Sequence, residues 1–399
     1  MLAMRQFDKH IEAFTGPLRR HFPVISTPWF SMVTLRADVL EVLGRPDVYA
    51  VPYAPRLPQP FLVGTDDPQR HAADAALLAE VLTRDDFPAI TTQVAASAEK
   101  VVSQAASRGY LDVGRDLVSP VMGGVVSRFL GLPEVALATQ VRLARAVFHD
   151  LFLNSSGQPS VHERAKKAAG ELQTAIQQSI VERRLALSRE PSNVLDRLLV
   201  RQSTPGGPSD PEVLGVLIGL ATAWLVDASR GCLLALDELV SRPAALAEAS
   251  AAARAGDTAR LRAIVWELMR FRPTSPGVLR TCLRDDRLPS RHGRRPHLKS
   301  GSTVFVATKS AMWDAVAVPD AGSFRSDRPE GTYLMFGYGM HRCFGEQVSR
   351  DQLPALLAPL LRQGGLRRAA GRAGRLRWDG PFPDGFRVTF TSAERGEED

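Results

Sequence analysis

Residues 336–350, FGYGMHRCFGEQVSR, place a cysteine among glycines, two arginines and a histidine, directly before a pattern typical of a helix. Cys343 is one of only three cysteines in the chain. Unpaired backbone N–H groups at a helix N-terminus favour the thiolate, the form of cysteine that binds metals. Gly337, Gly339 and Gly345 let the backbone turn tightly or approach a flat partner closely. The loop therefore indicates a thiolate ligand, with a buried structural cysteine as the alternative.

The same loop resembles the signature of a known protein family. Six residues reproduce the F-G-x-G-x-H-x-C-x-G pattern of cytochrome P450 proteins, namely Phe336, Gly337, Gly339, His341, Cys343 and Gly345. In that family the cysteine thiolate is the axial ligand of heme iron. The resemblance implies heme b as the cofactor, Cys343 as the iron ligand and Phe336 packed beside the thiolate.

Two further features of the family precede the cysteine loop. The stretch WELMR supplies Glu267 and Arg270, about one helical turn apart and so on one face for a charge-assisted pair. Arg328 in FRSDRP matches an arginine that members carry between this helix and the cysteine loop. An E-x-x-R alone usually marks a solvated helix face. In combination, the three residues are expected to be structural and to hold the heme-binding core.

The resemblance also implies which residues hold the heme propionates. Members use a His and an Arg four residues apart on an early helix, an Arg after the E-x-x-R helix, and the His of the cysteine loop. His71, Arg280 and His341 match three of these positions. Ala75 stands where the early arginine is expected, and Arg70 could replace it only from a different direction of approach. The propionate clamp is therefore expected to be incomplete.

The long central helix departs from the family pattern. Bacterial monooxygenases usually carry A-G-x-[DE]-T there, and the acid and the alcohol supply the protons that break the O–O bond of dioxygen. Counting back from the helix end at Pro243 aligns AWLVD, 223–227, with this motif. Trp224 then takes the small-residue position, Val226 the position of the acid and Asp227 that of the threonine.

A second alignment of the central helix is open. Counting back from Glu267 aligns ASRGC, 228–232, with Gly231 and Cys232 at the acid and alcohol positions. We favour the first alignment, because five extra residues fit more easily in the connection SAAARAGDTA than within a helix. Under either alignment the acid–alcohol pair is missing.

Asp227 is the candidate catalytic residue of this helix. A buried carboxylate is costly unless it is paired or protonated, so one that faces heme would act as an acid or base or as a substrate anchor. The alternative is an ion pair with Arg230, three residues further on, at the exterior of the helix.

Substrate contacts are expected from the central helix and from two other segments. Trp224 would narrow an apolar cavity beside Asp227. The proline-rich stretch 49–61 and the strand start that contains Val278 and Leu279 would contribute further contacts. Loops of this kind vary freely, so these residues do not identify the substrate.

These residues must be positioned by a mainly helical chain. Apolar residues recur three or four apart over about 68–272, whereas alternating stretches within 23–65 predict short strands. The segment 211–243 is almost continuously apolar in its first half, as in a buried helix or a membrane span. Asp227 and Arg230 interrupt it, which favours a buried helix. We predict a mainly α fold with small β-sheets, the cytochrome P450 fold with a long central helix over the heme.

Composition places the chain among ordinary globular proteins. Of its 399 residues, 44% are hydrophobic and 23% charged, and neither a repeat nor a low-complexity linker interrupts it, which predicts one cytochrome P450 domain over 1–399. The charged N-terminus lacks the apolar stretch of a signal peptide, and no run of about eighteen apolar residues occurs. We therefore expect a cytoplasmic protein without a membrane partner. The three distant cysteines offer neither a disulfide framework nor a CxxC zinc site.

Arginine-rich runs are the one compositional feature that could suggest nucleic acid. The net charge is +7, and basic runs occur at 291–295 and 367–377. A basic patch can bind nucleic acid or an acidic protein. Because no aromatic residues are interleaved with these runs, we expect no nucleic-acid partner.

Several stretches, among them PGVLRTC and YLMFGYGMHRCFG, are similar to bacterial relatives of the heme-thiolate domain in fungal fatty-acid dioxygenase fusions, which isomerises a hydroperoxide. Such enzymes take an O–O bond that is already activated, so they need neither a proton relay nor a redox partner. The first hypothesis is therefore a heme-thiolate oxidoreductase of secondary metabolism that uses peroxide or an activated small-molecule substrate. It would act as an isomerase, a peroxygenase or a catalyst of oxygen or nitrogen group transfer.

Two other functions are open. The chain could be a conventional oxygen-dependent monooxygenase that hydroxylates a small apolar metabolite, with Asp227 and water replacing the usual relay and with ferredoxin and a reductase as partners. It could also be a non-catalytic heme-binding or recruitment module. The intact Cys343, Glu267 and Arg270 argue against loss of heme but do not exclude loss of turnover.

Overall fold

The computed structural model describes residues 2–57, 61–132, 136–185, 190–289 and 296–391. Helices dominate these residues and the strands are short. The predicted fold class, mainly α with small β-sheets, is confirmed. The basic run predicted at 291–295 lies outside the described residues.

Thirteen α-helices lie within the described residues, and the longest, α9, is the predicted central helix. In chain order they are α1 (Leu2–His21), α2 (Arg36–Gly44), α3 (Pro68–Val81), α4 (Asp86–Ala106), α5 (Ser119–Leu130), α6 (Leu137–Phe148), α7 (Pro159–Leu185), α8 (Val194–Gln202), α9 (Asp210–Leu239), α10 (Pro243–Ala255), α11 (Thr258–Phe271), α12 (Thr308–Ala311) and α13 (Gly345–Leu361).

The strands of the described residues form four small sheets. In chain order they are β1 (Val24–Ser26), β2 (Phe30–Val33), β3 (Tyr49–Ala50), β4 (Tyr110–Asp112), β5 (Val278–Cys282), β6 (Asp286–Arg287), β7 (His297–Leu298), β8 (Thr303–Val306), β9 (Gly364–Arg368), β10 (Arg377–Asp379), β11 (Phe382–Gly385) and β12 (Arg387–Thr391).

The chain divides into two compact units, and the first comprises Met1–Pro55, Leu62–Ala72 and Ala263–Glu346. Its main sheet has the strand order β1-β2-β8-β5-β3, with β2 parallel to β8 and the other neighbours antiparallel. Alternate residues of β8, Val304 and Val306, are fully buried, as the period of two predicts for a sheet with one face on the core. This unit carries the cysteine loop.

The second unit comprises Arg56–Phe61, Ala73–Arg262 and Gln347–Asp399. It contains α4 to α10, the sheet β4-β12-β9 and the hairpin β10-β11. Helix α4 shows why these segments are helical, because its fully buried residues recur every three or four positions. The prediction of a single domain over 1–399 stays a prediction.

Helix α9 begins directly after a residue whose polar groups are bonded to its first turn. The Glu212 carboxylate accepts hydrogen bonds from the Ser209 backbone N–H, at 2.8 Å, and from the Ser209 hydroxyl, and Pro211 occupies the first turn. By length and composition alone α9 could cross a membrane, and 44% of its most apolar window is buried inside the structure. The core helix of a large domain passes the same test.

Candidate functional site

The cysteine loop folds into a tight turn directly before α13. The backbone N–H of Cys343 donates to the carbonyl of Phe336 at 2.8 Å, which closes the loop. Gly337 and Gly339 have φ values of +80° and +72°, a region that favours glycine, and a Cβ at Gly339 would lie 2.8 Å from the carbonyl oxygen of Leu43. The loop leaves Cys343 exposed.

Gly345 is the first residue of α13, so the cysteine lies at a helix N-terminus as predicted. A Cβ added at Gly345 would lie 3.5 Å from the Cys343 sulfur, an ordinary contact distance. The sulfur by itself therefore does not require glycine at this position.

An aromatic stack lies beside the cysteine loop. The ring of Phe336 stacks on the indole of Trp266, with 5.6 Å between the ring centroids and 29° between the planes. Trp266 is buried and directly precedes Glu267 on α11. Sequence reasoning assigned Phe336 a place beside the thiolate but missed Trp266.

Glu267 is the centre of a buried ion network. Its carboxylate accepts from Arg270 at 2.9 and 2.7 Å and from the Arg328 Nε at 3.1 Å, and both Glu267 and Arg270 are 0% exposed. The backbone N–H of Arg325 adds a further hydrogen bond at 3.0 Å. The pair predicted from the E-x-x-R spacing is thus confirmed. The network ties α11 to the segment that leads to the cysteine loop.

His341 is held by a carboxylate that the sequence did not point to. Its Nε2 lies 2.9 Å from Oδ1 of Asp66, and the His341 side chain is 4% exposed. Asp66 also accepts from the backbone N–H of Val51 at 3.0 Å. The His71 ring contacts the His341 ring edge-on at 5.1 Å. Among the described residues, the buried Nδ1 of His341 has no hydrogen-bond partner.

Arg280 is a buried cation on β5. It is 5% exposed, and within the described residues its side-chain hydrogen bond goes to the carbonyl of Leu279, at 2.8 Å. Burial lowers the pKa of the Arg280 guanidinium, while the nearby Tyr53 and Asp66 act in the opposite direction. An additional carboxylate at this guanidinium would offset its burial.

Three further residues of the first unit were considered as contacts of a substrate or of a propionate. Val278 and Leu279 are partly buried on β5, opposite Val306 and Phe305 of β8. Arg70 lies exposed in the first turn of α3. Their roles toward a substrate or a propionate stay predictions.

In the second unit, Trp224 is fixed by a side chain of α13. Its indole N–H donates to Oε1 of Gln352 at 2.9 Å, and Gln352 is almost fully buried. Sequence reasoning did not single out Gln352, because a lone glutamine in an amphipathic helix carries no pattern. The predicted role of Trp224 toward substrate stays a prediction.

Asp227 pairs with Arg230, which is the alternative that the sequence offered to a catalytic role. The Arg230 Nη1 lies 3.5 Å from Oδ1 of Asp227, and the two side chains are 7% and 47% exposed. The expectation that this pair lies at the helix exterior is wrong for Arg230, whose guanidinium is buried over the rings of Phe148 and Phe382 at 5.5 and 6.0 Å. The arginine is therefore fixed, and the carboxylate of Asp227 is half exposed.

The second alignment places Cys232 at the alcohol position. Cys232 is fully buried, and burial raises the pKa of its thiol far above the ordinary value. A thiol of this kind is inert and is a poor replacement for a proton-delivering hydroxyl.

A family comparison decides the class of protein. The family model for cytochrome P450 matches residues 145–363, more than half of the chain. This chain belongs to the cytochrome P450 family. It is accordingly an oxidoreductase enzyme of the heme-thiolate type, and heme b is the cofactor of the family.

Three individual comparisons place this P450 among known proteins. Cytochrome P450-SOY of Streptomyces griseus is 26% identical over 314 residues, which cover 77% of this chain and 70% of that protein. Linoleate diol synthase of Gaeumannomyces graminis is 39% identical over 112 residues, 25% of this chain, and this match spans only 10% of the curated relative's length. The crystal structure of CalO2 superposes with a TM-score of 0.82 at 21% identity, covering 97% of this chain and 98% of that one. The CalO2 likeness supports the P450 fold.

The residues of the first unit fit heme b. Heme is a flat group with two carboxylates, and it needs one axial ligand from the protein. Cys343 is exposed at a helix N-terminus, the Arg280 guanidinium is a buried donor that a carboxylate would satisfy, and the buried Nδ1 of His341 has no partner among the described residues. The chemistry of these three residues is therefore compatible with heme, and their contacts with iron and propionates stay predictions.

Proposed function

We propose that this cytochrome P450 is an oxidoreductase of secondary metabolism that acts on peroxide or on a substrate with an already activated O–O or N–O bond. The observation that carries the proposal is the missing acid–alcohol pair of the central helix, in either alignment. A P450 without this pair lacks the usual route for protons to dioxygen. Isomerase, peroxygenase and group-transfer chemistry do not depend on that route.

In this proposal the first unit holds the cofactor. Cys343 ligates the iron with Phe336 beside it, and Gly337 and Gly345 allow the approach of the heme plane. His71, Arg280 and His341 bind the propionates. Heme b with a thiolate ligand supplies one-electron and oxygen-transfer chemistry when bound.

Asp227 takes the proposed role of acid/base or substrate anchor. The Arg230 guanidinium, 3.5 Å from the Asp227 carboxylate, supports this role because it restrains the carboxylate that would meet the substrate. Because the buried Arg230 guanidinium packs against the rings of Phe148 and Phe382, it also orients the carboxylate.

The similarity to linoleate diol synthase supports fatty-acid-derived hydroperoxides as the first substrates to test. The proposed enzyme is cytoplasmic, acts on a small molecule with Trp224, Val278 and Leu279 among its substrate contacts, and needs no nucleic acid or membrane. Similarity to P450-SOY over most of the chain supports a P450 without further specification, so the second candidate is the conventional activity, that of an oxygen-dependent monooxygenase served by ferredoxin and reductase.

The test compares oxidants on one purified holoenzyme. Turnover would be measured with oxygen plus surrogate ferredoxin and reductase, with hydrogen peroxide alone, with fatty-acid hydroperoxides and with N-acyloxy substrates. We expect product from peroxide, hydroperoxide or N-acyloxy compounds in the absence of NAD(P)H. Product that requires NAD(P)H, reductase and oxygen together would establish the second candidate instead.

Iron ligation is tested separately by the spectrum of the reduced, CO-bound protein. The wild type is expected to give the thiolate-type spectrum, and Cys343→Ser is expected to lose it. An unchanged spectrum in Cys343→Ser would refute Cys343 as the ligand.

A further inference from the structure

Trp266 occupies a position that neither the cysteine signature nor the E-x-x-R motif assigns. It is buried on α11, and its indole stacks on Phe336, the first residue of the cysteine loop. The centroid distance of 5.6 Å and the angle of 29° describe an offset stack, a favourable arrangement for two aromatic rings.

The indole is mounted on a rigid part of the molecule. Its chain neighbour Glu267 is fully buried and accepts hydrogen bonds from Arg270, from Arg328 and from the backbone of Arg325. This network fixes the backbone at the start of the last two turns of α11. Trp266 therefore has little freedom to shift, and its indole restricts the positions that the Phe336 ring can take.

Phe336 is connected to Cys343 through a backbone hydrogen bond and through the loop that they share, so restraint of Phe336 also restrains the position of Cys343. Its carbonyl accepts the backbone N–H of Cys343 at 2.8 Å, so the positions of the two residues are coupled. Its side chain, held by the indole, belongs to the same loop as the exposed Cys343 thiol. A change at Trp266 would reach the sulfur through Phe336, with no change to the loop sequence.

We propose that Trp266 is a positioning residue that holds Phe336 in place and thereby fixes the position and the hydrogen bonding of the Cys343 thiolate. The proposal rests on ligation of heme by Cys343, as in the proposed function. Hydrogen bonds and solvent near a ligating sulfur weaken its electron donation and alter the potential of the metal. Loss of the indole would therefore make the iron easier to reduce and the ligation by the sulfur less secure.

The test compares Trp266→Phe and Trp266→Ala with a matched control, Trp313→Ala. Trp313 belongs to the same unit and packs edge-on against Phe271, with ring centroids 5.0 Å apart. Trp313 also lies 5.5 Å from the guanidinium of Arg270, so Trp313→Ala removes an equal side chain beside the ion network without touching the Phe336 stack, and it separates the effect of the stack from that of the network. For each holoprotein the reduction potential, the share of thiolate-type CO complex and the thermal midpoint would be measured.

We expect Trp266→Ala to shift the reduction potential to more positive values and to lower the share of thiolate-type CO complex severalfold. Trp266→Phe keeps a ring for stacking and should restore most of both properties. Trp313→Ala should lower the thermal midpoint while leaving potential and spectrum close to those of the wild type. If Trp266→Ala does not bind heme, the Trp266→Leu variant and Trp266→Phe carry the comparison.

Two results separate this inference from the proposed function. A wild type with a thiolate spectrum, together with Trp266 variants that match Trp313→Ala in potential and spectrum, overturns the inference and leaves the heme assignment intact. A wild type without the thiolate spectrum overturns the heme assignment itself.

Discussion

At the residue scale, Arg280 is a buried charge whose free-energy cost of burial a bound cofactor would reduce. Removing a guanidinium from water costs free energy unless a carboxylate binds it. Arg280 is buried, and within the described residues its side chain donates to a backbone carbonyl. The same burial that lowers the pKa of Arg280 would strengthen its contact with a propionate.

Arg280→Met separates these two effects, because it removes the charge and keeps much of the volume. We expect the apoprotein to become more stable, by about 1 kcal/mol or more, and heme to dissociate about tenfold faster. Urea unfolding of the apoprotein and heme transfer to apomyoglobin measure the two quantities. Arg284→Met is the control, since Arg284 lies exposed beside Asp47 and should change neither. A destabilised apoprotein would show that Arg280 has a structural partner instead.

Asp227 is the second residue whose role can be isolated. If it is an acid/base or an anchor, Asp227→Asn should lower turnover by about a hundredfold while leaving the CO spectrum unchanged. The matched control is Asp210→Asn at the exposed start of α9. Full turnover in Asp227→Asn and in Asp227→Ala would remove Asp227 from the mechanism and leave it as the partner of Arg230.

At the element scale, α11 is joined to the segment before the cysteine loop by one carboxylate. Glu267 compensates Arg270 and the Nε of Arg328 within a fully buried network. Breaking a buried ion pair costs far more than an exposed one, because the remaining charge cannot be hydrated. Helix α11 thus depends on tertiary contacts for its position.

Glu267→Gln is expected to destabilise the protein by about 3–5 kcal/mol and to abolish heme binding. Glu248→Gln is the control, because its partner Arg260 is partly exposed and surface pairs contribute at most about 1 kcal/mol. Urea unfolding monitored by circular dichroism measures both. Equal stability of the two variants would contradict a structural role for Glu267.

Helices α4 and α8 are linked by a charge pair with a definite pH dependence. Burial raises the pKa of Asp86, but hydrogen bonds from Arg197, at 2.6 and 2.8 Å, and from Thr83 outweigh it, so the pKa lies below the ordinary value. The stabilisation is present above the unfolded-state pKa of about 3.9 and is lost as the pH falls through the lower folded-state pKa.

Asp86→Asn should therefore destabilise the protein at pH 7, and the difference from the wild type should shrink as the pH falls below about 4. The test is to measure the free energies of unfolding of the two proteins in urea at pH 7 and again below about pH 4. A difference between the two proteins that is independent of pH would show that packing, and not charge, links α4 to α8.

At the scale of the whole molecule, much of the fold could be predicted from local patterns. Helical periodicity over about 68–272 and the alternating stretches within 23–65 predicted elements that the structure contains, because local spacing determines which face of an element is apolar. The cysteine signature and the E-x-x-R spacing also identified the family and its cofactor before any contact was known.

The contacts that link distant segments could not be predicted. Asp66 and His341 are 275 positions apart, and Trp224 and Gln352 are 128 apart, so no spacing rule relates them. Trp266 carries a local signal, an aromatic residue directly before the glutamate of E-x-x-R, but its significance depends on which ring it meets. The sequence by itself thus determined the family and the heme, because these depend on residue types at short spacing, and it predicts Cys343 as the thiolate ligand. Only the tertiary structure decided which charges are buried, which carboxylate holds His341 and that Asp227 pairs with a fixed arginine, since burial and pairing arise when segments far apart in the chain pack together.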